Sequence, residues 1–383
     1  MNHHHTVTLR VLGSCITVLF YCGAIADTRD NHWRSATTMT DAASSFIATL
    51  DSKQKESVLL SIDTDERATW SNLPIIMVQP RGLLIKDMSD MQRKAVHTLL
   101  RASMSSQGYA KVTGIMWLDD VLHDIEAERL ANDLEAQKDP YRKAFVATRD
   151  SGNYAVAVFG EPGNGDWGWK LAGHHAVVNF TVSDNRVAFT PTFLGSNPMA
   201  IESGRYAGWM VLPHEGSRGI ELMQSMKKEQ QQVAIIHPEV ADDVFEGPGR
   251  RASLSKFEGL KADKLSMQQM QLLRVLVAEY LRNVEHDTAR AQIELIEQIG
   301  WEEMWFSWRG PVDLSGRFYY RVHGPRLLIE YNRQNPNHDH SIMRDPANDY
   351  GEDWLEKHYE EHHPTMAEVR ENARRRATTE SDP

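Results

Sequence analysis

Apolar positions recur at helical spacing early in the chain: Ala43, Phe46, Ile47, Leu50 and Val58 predict a helix, or a broken one, between Thr40 and Leu60. Ser89 is a good N-cap for a second helix reaching Ser105, with Val96, Leu99 and Leu100 on its buried stripe and Gly108-Tyr109 closing it. A third helix is expected from Leu118 to Gln137. The pattern then changes to β character over Tyr154–Phe159. The glycine-rich stretch 163–180 reads as a turn feeding a strand, and Arg186–Phe189 as the strand that follows. Residues 190–198 read as a long ordered loop. A long helix is expected over 213–236, and two consecutive helices over 265–299. Between them, residues 237–263 read as a linker, with a flap over a cleft as the alternative. Residues 317–345 read as a β-hairpin, broken by Gly324-Pro325 and by Asn335-Pro336-Asn337.

Helices flanking hairpins without βα alternation predict an α+β fold, with antiparallel hairpins flanked by several long helices in a single compact domain over 40–363. Residues 27–39 are polar and read as a flexible lead. Residues 364–383 read as a charged tail. No internal repeat is evident.

Of the 383 residues, 41% are hydrophobic and 25% charged, an ordinary globular composition. The formal net charge of −11 argues against nucleic acid as a partner. Val11–Ala26 is an apolar run behind Arg10, ending in Ala24-Ile25-Ala26, so residues 1–26 read as a signal peptide for export to the periplasm or beyond the cell. No stable membrane insertion is expected after cleavage; a retained anchor is the alternative. Both cysteines, Cys15 and Cys22, lie in this segment. The mature chain therefore has no thiol, and any metal must be held by histidine and carboxylate.

His338-Asp339-His340 on a strand would project two imidazoles to one face. If the following turn is symmetric about Gln334, Glu330 falls opposite His338. Gly173-His174-His175 could bring a third imidazole. Adjacent His174 and His175 should face opposite ways unless a bulge re-aims one. These five residues are the candidate ligands for a divalent transition metal: zinc, copper, iron or manganese. Loop-edge polarity or metal-free acid/base use are the competing readings of the same histidines.

Arg321 and Arg344, within a cluster that includes Arg309 and Arg326, could clamp an anionic small-molecule substrate or pair internally with Asp345, Asp349 and Asp353. Trp167, Trp169 and Tyr320 are expected to line the cleft. His323 could join the metal or cap the turn. His358, His362 and His363 read as a solvated helix face. Asp349-Tyr350-Gly351 lacks every other kinase element, and no Gly-x-Ser-x-Gly elbow occurs in the mature chain.

These residues together predict a secreted metal-dependent enzyme, hydrolytic or oxidative, acting on a small anionic substrate. The alternative is a non-catalytic extracytoplasmic protein that binds a metal or ligand.

Several landmarks occur in one order: Trp167-Gly-Trp169, Gly173-His-His175, Thr190-Pro191, Phe193–Pro198, Tyr319-Tyr-Arg321, His323-Gly-Pro325, Ile329-Glu-Tyr331, His338-x-His340 and Arg344–Gly351. In these the chain resembles domain-of-unknown-function family 3500, from about residue 40 to 363. The resemblance implies a shared fold and carries no mechanism.

Overall fold

The computed structural model describes residues 28–313 and 316–362, with side chains over 34–313 and 316–357. The signal-peptide and charged-tail readings, and those for His358, His362 and His363, lie outside the described residues or side chains. Thirteen strands form one sheet: β1 (Leu59–Leu60), β2 (Leu83–Leu84), β3 (Ala155–Glu161), β4 (Asn164–Ala172), β5 (Ala176–Ser183), β6 (Arg186–Ala188), β7 (Thr192–Ser196), β8 (Ile235–His237), β9 (Leu260–Lys261), β10 (Trp305–Arg309), β11 (Tyr319–Gly324), β12 (Leu327–Asn335) and β13 (His338–Arg344). The helices are α1 (Thr28–Ala48), α2 (Ser52–Val58), α3 (Asp90–Ser103), α4 (Ser106–Ala131), α5 (Pro140–Ala147), α6 (Glu215–Ser225), α7 (Lys228–Ala234), α8 (Met267–Leu281), α9 (His286–Ile299) and α10 (Glu352–His362).

The α+β class therefore holds, but the hairpins merge into one mixed sheet. β1 runs parallel to β3 and β8 parallel to β10, while the other pairings are antiparallel. The main path is β1-β3-β4-β5-β7-β13-β12-β11-β10-β8. Read from either edge inward, it repeats. In each half a seven-residue helix leads into an edge strand parallel to its neighbour. A loop of equal length follows (61–82 and 238–259), then a two-residue strand, a 3₁₀ turn and a helix with a capping box.

The capping glutamines are used identically. Gln92 Nε2 donates to Thr49 O and Gln54 Oε1; Gln269 Nε2 donates to Ser225 O and Gln230 Oε1. Gly82 and Gly259 precede the two-residue strands at φ +117° and +96°, and a Cβ on either would sit 2.2 Å from a carbonyl oxygen of the adjacent strand. Only glycine fits both demands. The two glycines, the capping serines Ser89 and Ser266 and the capping glutamines stand at matching positions of the repeated elements.

Several boundaries moved. The expected flexible lead is the start of α1, whose stripe reaches back through Met39 and Ala36, both buried. Gly108 does not end a helix. It lies inside α4, where a Cβ would strike the backbone of Asn283. The long helix expected over 213–236 is α6, α7 and β8, divided where Lys227 starts a new capped turn on Gln230.

The main core lies between the helices and one sheet face. Trp167, Trp169 and Tyr320 belong to it and line no cleft: each is buried, Trp169 stacks on Phe180, and the Tyr320 hydroxyl bonds Tyr280 and Glu215 O. A smaller core containing Trp70, Phe193, Val244, Ile342 and Tyr350 lies between the other face and the two long loops. The 238–259 segment is thus a cover packed on the sheet rather than a linker. Among the described residues no helix is long and apolar enough to cross a membrane.

Candidate metal centre

The two halves meet at β7 and β13, and the histidines collect at this seam. His338 and His340 stand two apart on β13, so both imidazoles leave one face. His340 pairs with Gly195 of β7. His175 sits at φ +65°, a left-handed conformation costly for a residue with a Cβ. That twist breaks the alternation expected of His174 and His175 and brings both rings together, 3.7 Å between centroids.

Three Nε2 atoms converge. His338 Nε2 lies 3.0 Å from His175 Nε2 and 3.0 Å from His340 Nε2. Ligand atoms of all three residues lie within 4.8 Å of one another, close enough to share one metal ion. Gly195 makes the space. A Cβ there would be 2.8 Å from His340 Cδ2 and 3.1 Å from His175 Cδ2. Its N–H donates to His175 O at 2.7 Å, holding the strained residue in place.

Protonation favours ligation. Burial pushes the His175 imidazole well below its ordinary range, and neighbouring His174, His338 and His340 push it further. Burial and then His340 lower His338 to about 3. Both rings are therefore neutral near pH 7, the form that offers a lone pair. His340 Nδ1 donates to Asp243 Oδ1 at 2.8 Å, which leaves Nε2 as the free lone pair. Burial raises the Asp243 carboxyl, but the hydrogen bond and charge of His340 and the Val244 N–H outweigh it and hold it below its ordinary value.

The remaining candidates go elsewhere. His174 donates from Nδ1 to Asp119 Oδ1 at 2.5 Å and accepts at Nε2 from Arg149 Nη1 at 3.1 Å, so neither nitrogen is free. Burial lowers its pKa, with Asp119 opposing. Asp119 also accepts from Tyr154, and Arg149 is clamped by Glu126. This set backs the ring that packs, tilted, on His175.

Glu330 pairs with Ile342, not His338, because the turn is at Pro336-Asn337 rather than about Gln334 and a register shift lies between Arg333 and Asn335. Fully buried, its carboxylate accepts from Phe245 N, Glu246 N and the Tyr319 hydroxyl, each at 2.7 Å. It anchors the loop that carries Asp243.

Arg321 pairs with Glu258. Arg344 pairs with Asp349 at 2.6 Å and donates to Glu246 O. Arg344 is committed inside the fold and does not support a substrate clamp, whereas buried Arg321 gives Nη2 to the half-exposed Glu258 and its Nε has no partner. His323 is buried against Phe257 and stands outside the histidine group.

Asp243 and Gly195 had no motif to announce them. Asp243 lies in a loop read as a linker, and Gly195 matters only because β7 pairs with β13.

No curated protein and no solved structure matches the chain. A family model described as "Protein of unknown function (DUF3500)" matches residues 33–352, a span containing all three converging histidines, Asp243 and Gly195. With that match over most of its length, the chain belongs to the family of unknown function DUF3500.

Proposed function

We propose that His175, His338 and His340 hold one divalent transition metal and that the chain is a metal-dependent enzyme that activates water for hydrolysis. The convergence of three imidazoles, with no fourth histidine, cysteine or carboxylate in the group among the described residues, carries this reading. Structural zinc sites are closed by four protein ligands, whereas catalytic ones keep three and leave a position for water or substrate. Three imidazoles, which carry no charge when they ligate, would leave the ion's positive charge undiminished, and such an ion would supply a water of lowered pKa near neutral pH. Asp243 fixes the tautomer and aim of His340. The Asp119–His174–Arg149 set holds the ring packed against His175. An oxidative reaction at the same centre is the outcome if the metal proves to be iron or copper.

Elemental analysis of the purified protein tests the centre. One metal per chain is expected, lost in His338→Ala and in His175→Ala and retained in His174→Ala. Wild-type protein without stoichiometric metal, or unchanged metal in His338→Ala, would sink the proposal. Cobalt(II) substitution then separates enzyme from binder. An open position gives a visible spectrum that changes with added azide, while a closed shell gives one that does not and marks a non-catalytic binding protein. Export through residues 1–26 belongs to the same proposal, and N-terminal sequencing of the secreted chain checks for a start near Asp27.

A further inference from the structure

The duplicated sheet sets the two long loops over equivalent positions, and the charges beneath them differ. Gly82 and Gly259 approach the carbonyl oxygens of Val156 and Phe306, which makes these two residues equivalents. One pair further along each ladder, Lys170 faces Ala157 and Arg321 faces Ser307. Lys170 and Arg321 therefore hold the same position, and each is a buried cation. In the second half the cation has two acids. Glu330 is its neighbour across on β12, and Glu258, immediately before Gly259, accepts from Arg321 Nη2 at 2.9 Å. The first half has neither. Asn179 stands across from Lys170 on β5, and Arg81 immediately precedes Gly82.

The space beneath the loops differs to match. In the second half the Glu246 carboxylate accepts from Ala252 N, Leu254 N and the Ser253 hydroxyl of its own loop, and the cavity is about 130 Å³. The first-half pocket is about 490 Å³, in the range of small-molecule sites. Trp70, Leu73, Ile75 and Val78 give it an apolar side, with Leu73 and Val78 partly exposed at the rim. Its charged lining sets two cations, Lys170 and half-exposed Arg81, against one carboxylate, Glu66, which Arg81 already pairs with at 2.8 Å. Lys170 Nζ donates only to backbone carbonyls: Thr69 O at 2.6 Å, Glu66 O at 2.8 Å and Arg67 O at 3.4 Å. Carbonyls take its protons without balancing its charge, and the 3.4 Å contact is long for a hydrogen bond. Burial lowers its pKa to about 8, so the ammonium is still charged at pH 7. A charge removed from water without a counter-ion of its own is costly.

We propose that this pocket binds a small organic anion, a carboxylate on an apolar body. The carboxylate sits between Lys170 and Arg81 and takes the proton that Lys170 directs at Arg67 O. The carbon body lies against Trp70, Ile75 and Val78. The second half has no such site, because Glu258 and Glu330 supply the counter-charge from within the fold. The pocket stands whether or not a metal occupies the histidine group. The two share one wall, since His174 lines the pocket and packs on His175.

Three probes of one shape test this on the full chain at pH 7 by ligand-observed NMR titration: phenylbutyrate, phenylbutanol and phenylbutylamine. The carboxylate is expected to bind saturably. The alcohol should bind at least about tenfold more weakly, the worth of one hydrogen bond to a charged group, and the amine more weakly still. Arg81→Glu gives the rim the sign that Glu258 carries in the second half. It should weaken the carboxylate by at least about tenfold and leave melting temperature and metal content unchanged. Val78→Trp fills the pocket from its exposed rim and should abolish saturable binding of all three probes. Lys170→Met removes the buried charge and should narrow the gap between carboxylate and alcohol; should that variant fail to fold, Arg81→Glu still decides. Absence of saturable carboxylate binding, an alcohol or amine that binds as tightly, or unchanged carboxylate binding in Arg81→Glu or Val78→Trp overturns the proposal. Metal content, measured separately on the same samples, reports on the histidine centre alone.

Discussion

His340 Nδ1 and Asp243 Oδ1 are 2.8 Å apart, and this bond joins a strand of the sheet to the loop laid over it. It decides which nitrogen of His340 faces the other two imidazoles. A carboxylate behind a ligand histidine also makes that ligand more basic. Asp243→Ala should therefore weaken metal binding by about 10- to 100-fold. Asp243→Asn keeps an acceptor but loses the charge, and should fall between wild type and Asp243→Ala. Competition with a chromophoric chelator measures both. Equal affinity in all three proteins would remove Asp243 from the centre.

Glu330 acts on the same histidine from further back. Its carboxylate holds the amides of Phe245 and Glu246, two and three residues beyond Asp243. Glu330→Gln turns one acceptor into a donor facing buried donors. The metal-free protein should lose about 1–3 kcal/mol of stability by chemical denaturation, and metal should bind more weakly but still at one per chain. A glutamate that ligated the metal would behave in the opposite way, with stoichiometry lost and metal-free stability little changed. The pair of measurements separates the roles.

Gly195→Ala tests the cradle. The new methyl would meet His340 Cδ2 at 2.8 Å, Asp339 O at 3.0 Å and His175 Cδ2 at 3.1 Å. Backbone cannot yield cheaply between two paired strands, so the rings must move. Metal stoichiometry should fall well below one per chain, with far-ultraviolet circular dichroism unchanged. Full metal occupancy in this variant would mean the rings are not held as tightly as their contacts imply.

How much of this was legible beforehand follows from which interactions are local. The His338-x-His340 pair is a strand-period pattern, and it could be read directly. The Ser89 cap could too, because a capping box spans four residues. His175 was legible only as one of two, since its left-handed backbone overrides strand alternation. Glu330 was misplaced by the turn: moving the reversal from Gln334 to Pro336-Asn337 carries Glu330 along the strand away from His338. Trp167, Trp169 and Tyr320 looked like cleft residues because large aromatics serve cores and pockets equally. Asp243 and Gly195 depend on contacts across the seam of a duplicated sheet, and nothing adjacent in the chain encodes them.

His323 gives a pH dependence that does not involve the metal centre. Burial, with Arg321 adding to it, lowers its pKa from the ordinary 6.5 to about 4, and Nδ1 has no partner. The unfolded chain therefore takes up a proton through the ordinary imidazole range, while the folded chain stays neutral until about pH 4. Between those values the unfolded state binds more protons, so stability from this residue rises with pH across the window and is lost on acidification. His323→Leu removes the titrating group, keeps an apolar side chain against Phe257, and leaves no orphaned nitrogen. The variant should match or exceed wild type in stability at pH 5, and its stability should vary less steeply between pH 4 and 6.5 than that of wild type, whose proton uptake is set by these two values. Urea titrations at a series of pH values on metal-free protein measure this, because metal loading would add a pH dependence of its own. An identical slope in the two proteins would mean that His323 does not stay neutral in the folded chain.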